Sequence, residues 1–263
     1  MKLSDPAIRR LVVTGHPNHE LAIFGFVQRL RPRLLFLTDG GGAERVEESR
    51  RALASLGLLH QAPFLDWTEE SLYRALLDGD SGVFAELVAE VRSEIEATAP
   101  QQIFCESIEL YNPLHDITLP IVRAATRGLP GIEIFEFPLI AQEPADGERY
   151  RVQRLPARRT TEALHLTAGE HGAKLSARED LYLCLRRQLG AVLEELGPEH
   201  TAVEFFAPAC EELPEPGRYH VLRYEWRARL LQDRGEIDRM ITYRDHFLPM
   251  LAALAQEEAR AST

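Results

Sequence analysis

The chain has 263 residues, 45% of them hydrophobic and 27% charged, enough apolar material for one large α/β domain. Its formal net charge of -11 argues against a nucleic-acid surface, because neutralising phosphates takes concentrated Lys and Arg, whereas the Arg pairs at 9–10, 50–51, 158–159 and 186–187 are scattered among acids. No apolar run approaches a membrane span and no signal peptide is apparent behind Met1-Lys2-Leu3. Cys105, Cys184 and Cys210 are odd in number and widely spaced, so a cytoplasmic location is expected and a disulfide framework is not.

Residues 11–14 read as a strand ended by Gly15, and Leu21, Ile23, Phe24, Val27 and Leu30 predict a helix over 19–30. A second strand at 34–37 runs into the turn Thr38-Asp39-Gly40-Gly41-Gly42, followed by an amphipathic helix over 45–56 that Gly57 stops. Phe64 and Leu65 form a short candidate strand. The stripe Val83, Phe84, Leu87, Val88, Val91 and Ile95 predicts a helix over 80–98. A strand at 103–105, a helix at 115–127 and a strand at 132–137 complete an alternation that favours a Rossmann-like, doubly wound, mostly parallel sheet with helices on both faces. Beyond Pro138 the expectations are a turn at 143–147, a strand at 150–155 pairing with 164–166, helices at 178–196 and 236–259, and an exposed loop at 208–217. The organisation expected is one domain over 1–263, with a core at 1–138 and sheet completion plus a rim over the site at 139–263.

The most informative stretch is Gly15-His16-Pro17-Asn18-His19-Glu20, where a strand hands over to a helix. In open parallel sheets ligands bind beyond the carboxyl ends of strands, and two neutral imidazoles there are a natural metal-ligand pair. Glu20 reads as a first-turn helix acid favoured by the dipole. The run Asp39-Gly40-Gly41-Gly42 lets a sugar or phosphate approach the backbone, but lacks the spacing of a dinucleotide fingerprint or a P-loop. His60, His165, His171, His200 and His220 show no partner spacing and read as structural; Cys105 reads as core.

The stretch resembles the first motif of the LmbE/PIG-L family of zinc-dependent de-N-acetylases, H-P-D-D-E after the first strand. Further segments match in the family's order: Leu37-Thr38-Asp39-Gly40, the helix from Arg45 through Glu48, Ala52 and Leu56 to Gly57, Pro100-Gln101-Gln102-Ile103-Phe104, and Asn112-Pro113-Leu114-His115 at the place of H-P-D-H. Near the C-terminus, Tyr243-Arg244-Asp245-His246 resembles a Y-x-S-Q element. The resemblance implies that His16 and His115 bind zinc, with His19 replacing an Asp ligand. Another divalent metal is equally compatible with imidazole. It also implies a de-N-acylase acting on an N-acetyl amino sugar or related polar amide, with a small-molecule substrate, room for a homo-oligomer and no nucleic-acid partner.

The departures are equally informative. The family's catalytic base is here Asn18, and an amide cannot take a proton from an attacking water. Asn18 then either hydrogen-bonds substrate or caps the helix. The first His of H-P-D-H is Asn112 and its Asp is Leu114. A replacement base is expected among Glu109, Glu106 and His246, in that order, with Glu20 and Asp116 as further carboxylates. Arg45, Asp39, Gly40 and Asn112 are the expected substrate contacts. Two rivals stay open: a non-catalytic sugar- or metal-binding member of the same fold, and a nucleotide-binding or transferase domain that carries these histidines by chance.

Overall fold

Continuous apolar runs make the central strands. β1 (Arg10–Thr14) and β4 (Gln102–Glu106) are buried along their whole length, as parallel strands covered on both faces should be. The computed structural model describes residues 5, 7–143, 146–156, 159–210, 213 and 221–261. The expected turn at 143–147 and loop at 208–217 lie partly outside them, as does Arg158 of the 158–159 pair, and His220 lies wholly outside.

In chain order, β1 is followed by a 3₁₀ turn at His19–Ile23 and α1 (Phe24–Leu30), then by β2 (Arg33–Thr38), α2 (Ala43–Ser55) and β3 (Phe64–Trp67). Next come α3 (Glu69–Asp78), α4 (Ser81–Thr98), β4, α5 (Pro113–Asp116), α6 (Thr118–Thr126) and β5 (Glu133–Phe137). A hairpin of β6 (Ile140–Glu143) and β7 (Asp146–Val152) precedes β8 (Glu162–His165), α7 (Ala168–Asp180), α8 (Leu183–Leu196) and β9 (Val203–Pro208). The chain ends with α9 (Arg223–Asp233), a π-helical turn at Tyr243–Phe247 and α10 (Leu248–Ala261).

Seven strands form one sheet in the order β3-β2-β1-β4-β5-β9-β8. The first five are mutually parallel, with Val12 of β1 opposite Leu34 of β2 and Phe104 of β4, and Phe104 opposite Phe135 of β5. The expected doubly wound α/β sheet is therefore present. β9 joins antiparallel to β5, and β8 antiparallel to β9, so the second half extends the same sheet. Side chains alternate between two cores, as the strand period of two requires. Leu11 and Val13 enter one with Phe84, Leu87 and Val91 of α4 and Val122 of α6. Val12 enters the other with Phe26 and Val27 of α1 and Leu53 of α2. Among the described residues no helix is long and apolar enough to cross a membrane.

Several elements differ from the sequence expectation. The helix expected at 19–30 is broken, because Asn18 is left-handed (φ 79°) and Ile23 leaves helical geometry at φ -120°, ψ 32°. The strand expected at 150–155 pairs with β6 and not with 164–166, whose partner is β9. The single helix expected at 178–196 is two, meeting at Tyr182, whose buried ring donates its OH to Glu20 Oε1 at 2.9 Å. The helix expected at 236–259 begins only after the π-helical turn that Thr242 caps. Helices α3 and α9 had no counterpart in the periodic reading.

Candidate metal centre

The strand order reverses between β1 and β4, so their carboxyl ends diverge into the crevice where such sheets bind ligands. β1 delivers His16 and His19 to that crevice, and α5 delivers His115. Gly15 permits the close approach: a Cβ there would lie 2.9 Å from Leu114 O and 3.2 Å from Glu106 Oε2, tighter than a side chain tolerates.

The three imidazoles gather as expected. Ring centroids are 5.1 Å apart for His16–His19, 5.1 Å for His16–His115 and 4.4 Å for His19–His115, each pair edge-on. Tetrahedral zinc with bonds of about 2.0–2.1 Å puts ligand rings roughly 5 Å apart, centroid to centroid. Hydrogen-bond accounting fixes the tautomer of His16. Thr38 Oγ1 gives its one proton to Gly15 O at 2.8 Å, so at its 2.8 Å contact with His16 Nδ1 it must accept. The Nε2 lone pair of His16 is then buried with no partner. His19 Nδ1 lies 2.7 Å from Glu106 Oε1, and with Glu106 as the accepting carboxylate the His19 lone pair is likewise on Nε2. Burial, the neighbouring imidazoles and Arg45 hold His16 well below the ordinary imidazole pKa; His19 and His115 are lowered by burial first and by Arg45 as well. Three neutral imidazoles, one with an orphaned buried lone pair, are a donor set that fits a borderline divalent cation.

The donor nitrogens are less tightly drawn than the rings. Among the described residues only Glu44, Glu48 and Cys184 bring three candidate ligand atoms within 4.8 Å of one another. That cluster is already served by protein donors. Arg187 Nη2 lies 3.0 Å from Glu44 Oε1 and 3.0 Å from Cys184 Sγ, and Glu48 accepts from Cys184 N at 3.0 and 3.2 Å.

Of the expected bases, Glu106 reaches the triad. It accepts from His19, from Gly15 N at 2.9 Å and from Thr118 Oγ1 at 3.3 Å, and burial pushes its carboxyl well above the usual range. Glu109 is tied elsewhere: its Oε2 accepts from Leu139 N at 2.9 Å and Ile140 N at 2.7 Å, and burial raises its carboxyl to about 8. Asp116 shapes the same loop, accepting from Glu109 N at 2.7 Å, and burial raises it to about 8. His246 Nδ1 bonds Thr242 N at 3.0 Å inside its own turn. Asn18 sits at the N-cap of the 3₁₀ turn without a capping bond. Its Nδ2 donates to Glu48 Oε2 at 2.6 Å and its Oδ1 accepts from Ser49 Oγ at 3.1 Å, so the side chain is held against α2. Glu20 is fully buried against Tyr182, not displayed in a first turn.

The expected substrate contacts cluster at the mouth. Arg45 donates to Gly40 O at 3.1 Å, its Nε has no partner, and its charge is felt by all three histidines. Asp39 Oδ1 accepts from Gly41 N at 3.0 Å and Glu69 N at 2.9 Å, so it anchors the start of α3. Asn112 Oδ1 accepts from Leu114 N at 2.8 Å and Tyr73 OH at 3.0 Å, which leaves its amide NH₂ for other partners. The histidines read as structural include His171 and His200, whose Nε2 atoms bond Pro198 O at 3.0 Å and Val152 O at 2.7 Å.

Several solved structures share this architecture. The A40926 pseudoaglycone deacetylase superposes with a TM-score of 0.56 at 15% identity, over 79% of this chain and 99% of that one. A deacetylase of teicoplanin biosynthesis in its bog complex gives 0.54 at 15%, over 76% and 97%. The zinc-inhibited form of teicoplanin deacetylase gives 0.52 at 14%, again over 76% and 97%. The likeness establishes the fold. No family description and no curated protein matches the sequence.

Sequence reasoning missed Glu69, Tyr73 and Tyr111. Glu69 Oε1 lies 3.9 Å from the orphaned His16 Nε2, and because His16 is neutral this is no ion pair. Burial raises the Glu69 carboxyl, opposed by Arg45. Tyr111 stacks on His115 with centroids 6.4 Å apart. Glu69, Tyr73, Tyr111 and Asn112 line a cleft of about 540 Å³ between α3 and α9, which adjoins the triad through Glu69 and Tyr111. A signal for α3 was present: Thr68 followed by two acids is a helix start, and Thr68 Oγ1 accepts from Ser71 N at 3.1 Å.

Proposed function

We propose that the chain is a metal-dependent hydrolase that removes the acyl group from an N-acetyl amino sugar or a related polar amide. The observation that supports it most is the buried, unpartnered Nε2 of His16, set among three neutral imidazoles at the strand-order reversal. His16, His19 and His115 would hold the metal, with zinc the first candidate. When bound, such an ion supplies Lewis acidity toward the acyl carbonyl oxygen. In this reading Thr38 and Glu106 act as positioning residues, each keeping the Nδ1 proton of one histidine in place so that Nε2 faces the centre. Glu69, with its raised carboxyl, accepts a proton at Oε1 from the attacking water and returns it to the departing amine nitrogen. Arg45 offers its charge to the oxyanion that develops on the acyl carbonyl oxygen, and the Asn112 amide, on the cleft wall, would hold substrate. The LmbE/PIG-L resemblance and the deacetylase fold neighbours, one of them in complex with teicoplanin, support the same substrate class.

A non-catalytic binding role is the second reading. It is favoured by the commitment of Asn18, Glu109 and His246 to other partners. Metal analysis of purified protein, followed by deacetylation assays on N-acetylglucosamine conjugates, separates the two. In the catalytic reading Glu69→Gln lowers turnover by about 10²–10⁴-fold with metal content unchanged. Bound metal without turnover of any N-acyl sugar would leave the binding role.

A further inference from the structure

Beyond the triad, the cleft presents cationic and phenolic groups that the hydrolytic scheme does not use. Arg223, at the start of α9, has buried Nε and Nη1 atoms with no hydrogen-bond partner, and so has the hydroxyl of the adjacent Tyr224. Leaving such donors unmet costs free energy, most of all for a charged group, so sites that keep them are places to expect a ligand. The Arg223 guanidinium is held 4.5 Å from the Trp226 ring centroid, and its charge is felt by Tyr111, the residue that stacks on His115. Arg227 stands one helical turn further along, exposed at the mouth, and its charge reaches Glu69, Tyr73 and Tyr111. Arg239, also on the lining, is already committed to Asp78 Oδ1 at 2.7 Å. Glu69 and Glu70 stand on the α3 side of the same cleft. The cleft is therefore polarised, with carboxylates on α3 beside the triad and free donors on α9.

We propose that the α9 wall of this cleft is an oxyanion-recognition subsite, in which Arg223 and Arg227, with Tyr224, bind a carboxylate or phosphate carried by the substrate on the side away from its acyl group. A guanidinium that keeps its charge at every working pH and holds unpaired N–H donors can serve the oxygens of either anion. The phenol of Tyr224, whose pKa burial raises, remains a donor throughout the working pH range. The amide to be cleaved then lies toward His16 and Glu69, and the amine released is left beside the α3 carboxylates. This assignment rests on the hydrolase reading for its orientation but not for its test.

The test is calorimetric binding to the full chain, with phenyl phosphate, benzoate and benzyl alcohol as probes of one aromatic size. At least one anion should bind ten-fold or more tightly than benzyl alcohol, and the better of the two identifies a phosphate or a carboxylate as the recognised group. Arg223→Gln should remove that preference, Arg223→Lys should retain only part of it, and the exposed Arg227→Gln should weaken it several-fold. Equal binding of benzyl alcohol and both anions would overturn the subsite. So would anion affinities that stay within two-fold of wild type in Arg223→Gln and Arg227→Gln, each shown to be folded by its melting profile. Absence of turnover with intact anion binding would instead count against the hydrolase reading and leave the subsite standing.

Discussion

Glu204 on β9 and Glu106 on β4 are both fully enclosed carboxylates on one sheet, and they differ in what their networks leave over. Glu204 accepts from Gly25 N and Lys174 Nζ, each at 2.8 Å, and from Phe26 N at 2.7 Å, while Lys174 also donates to Ala22 O at 2.7 Å. That network ties α7 to α1 and closes on itself. Glu106 gathers Gly15, His19 and Thr118, but the path through His19 ends in an imidazole lone pair beside a second one, on His16, that has no partner. Buried polarity that serves only stability is satisfied internally, because each unmet group costs free energy. Buried polarity that stops short of satisfaction marks where something else is meant to bind.

Breaking the closed network should give the largest effect. Lys174→Met leaves the Glu204 charge uncompensated and should lower unfolding stability by about 3–5 kcal/mol in urea denaturation, without changing metal affinity in the folded fraction. A loss below about 1 kcal/mol would erase the contrast drawn above. Breaking the open network should spare stability and damage binding. Glu106→Gln should weaken metal affinity by about 10–100-fold in chelator competition, the usual effect of removing a partner that orients a ligand.

Asn18 sharpens the comparison, because it belongs to neither network. Restoring the acid found at this motif position in the resembled family, Asn18→Asp, would set a second carboxylate against Glu48 Oε2, where the amide now donates at 2.6 Å. The variant should be less stable by about 1–3 kcal/mol and gain no deacetylase activity. Its loss should grow with pH, since repulsion raises a carboxyl pKa in the folded state above its unfolded value. A rise in turnover at unchanged stability would show that Asn18 faces the reacting centre after all. The smallest effect is expected at Glu109, raised from 4.5 to about 8 by burial. A carboxyl whose folded pKa is raised contributes stability that is full below about 4.5 and is lost as pH climbs toward about 8. Glu109→Gln keeps an acceptor for Leu139 and Ile140, so it should match wild type at pH 5 and exceed it modestly at pH 8 in thermal melts.

The sequence by itself determined the parallel half of the sheet. The centres of β1, β2 and β4 (residues 11–13, 34–37 and 103–105) are unbroken apolar runs, the mark of a strand buried on both faces. It also singled out His16 and His19, which follow the end of β1, while His115 came from the resemblance of Asn112-Pro113-Leu114-His115 to H-P-D-H; the structure gathers all three rings. What it could not determine was which carboxylate accompanies them. Glu109, Glu106 and Glu69 differ little as letters, and only the packing of the 107–110 loop against Leu139 and Ile140 turns Glu109 away from the triad. The start of α3, fixed by Asp39 accepting from Glu69 N, swings Glu69 to within 3.9 Å of His16. The second half was less legible for a related reason. Helix α9 has no buried residue and so no core stripe for a periodic reading to find. The partners of β7, β8 and β9 were decided by long-range pairing, and the break at Tyr182 by a hydrogen bond to Glu20, 162 positions away. Local periodicity reports whether a residue is buried; which polar group it meets there depends on contacts between segments far apart in the chain, and the tertiary structure alone supplies them.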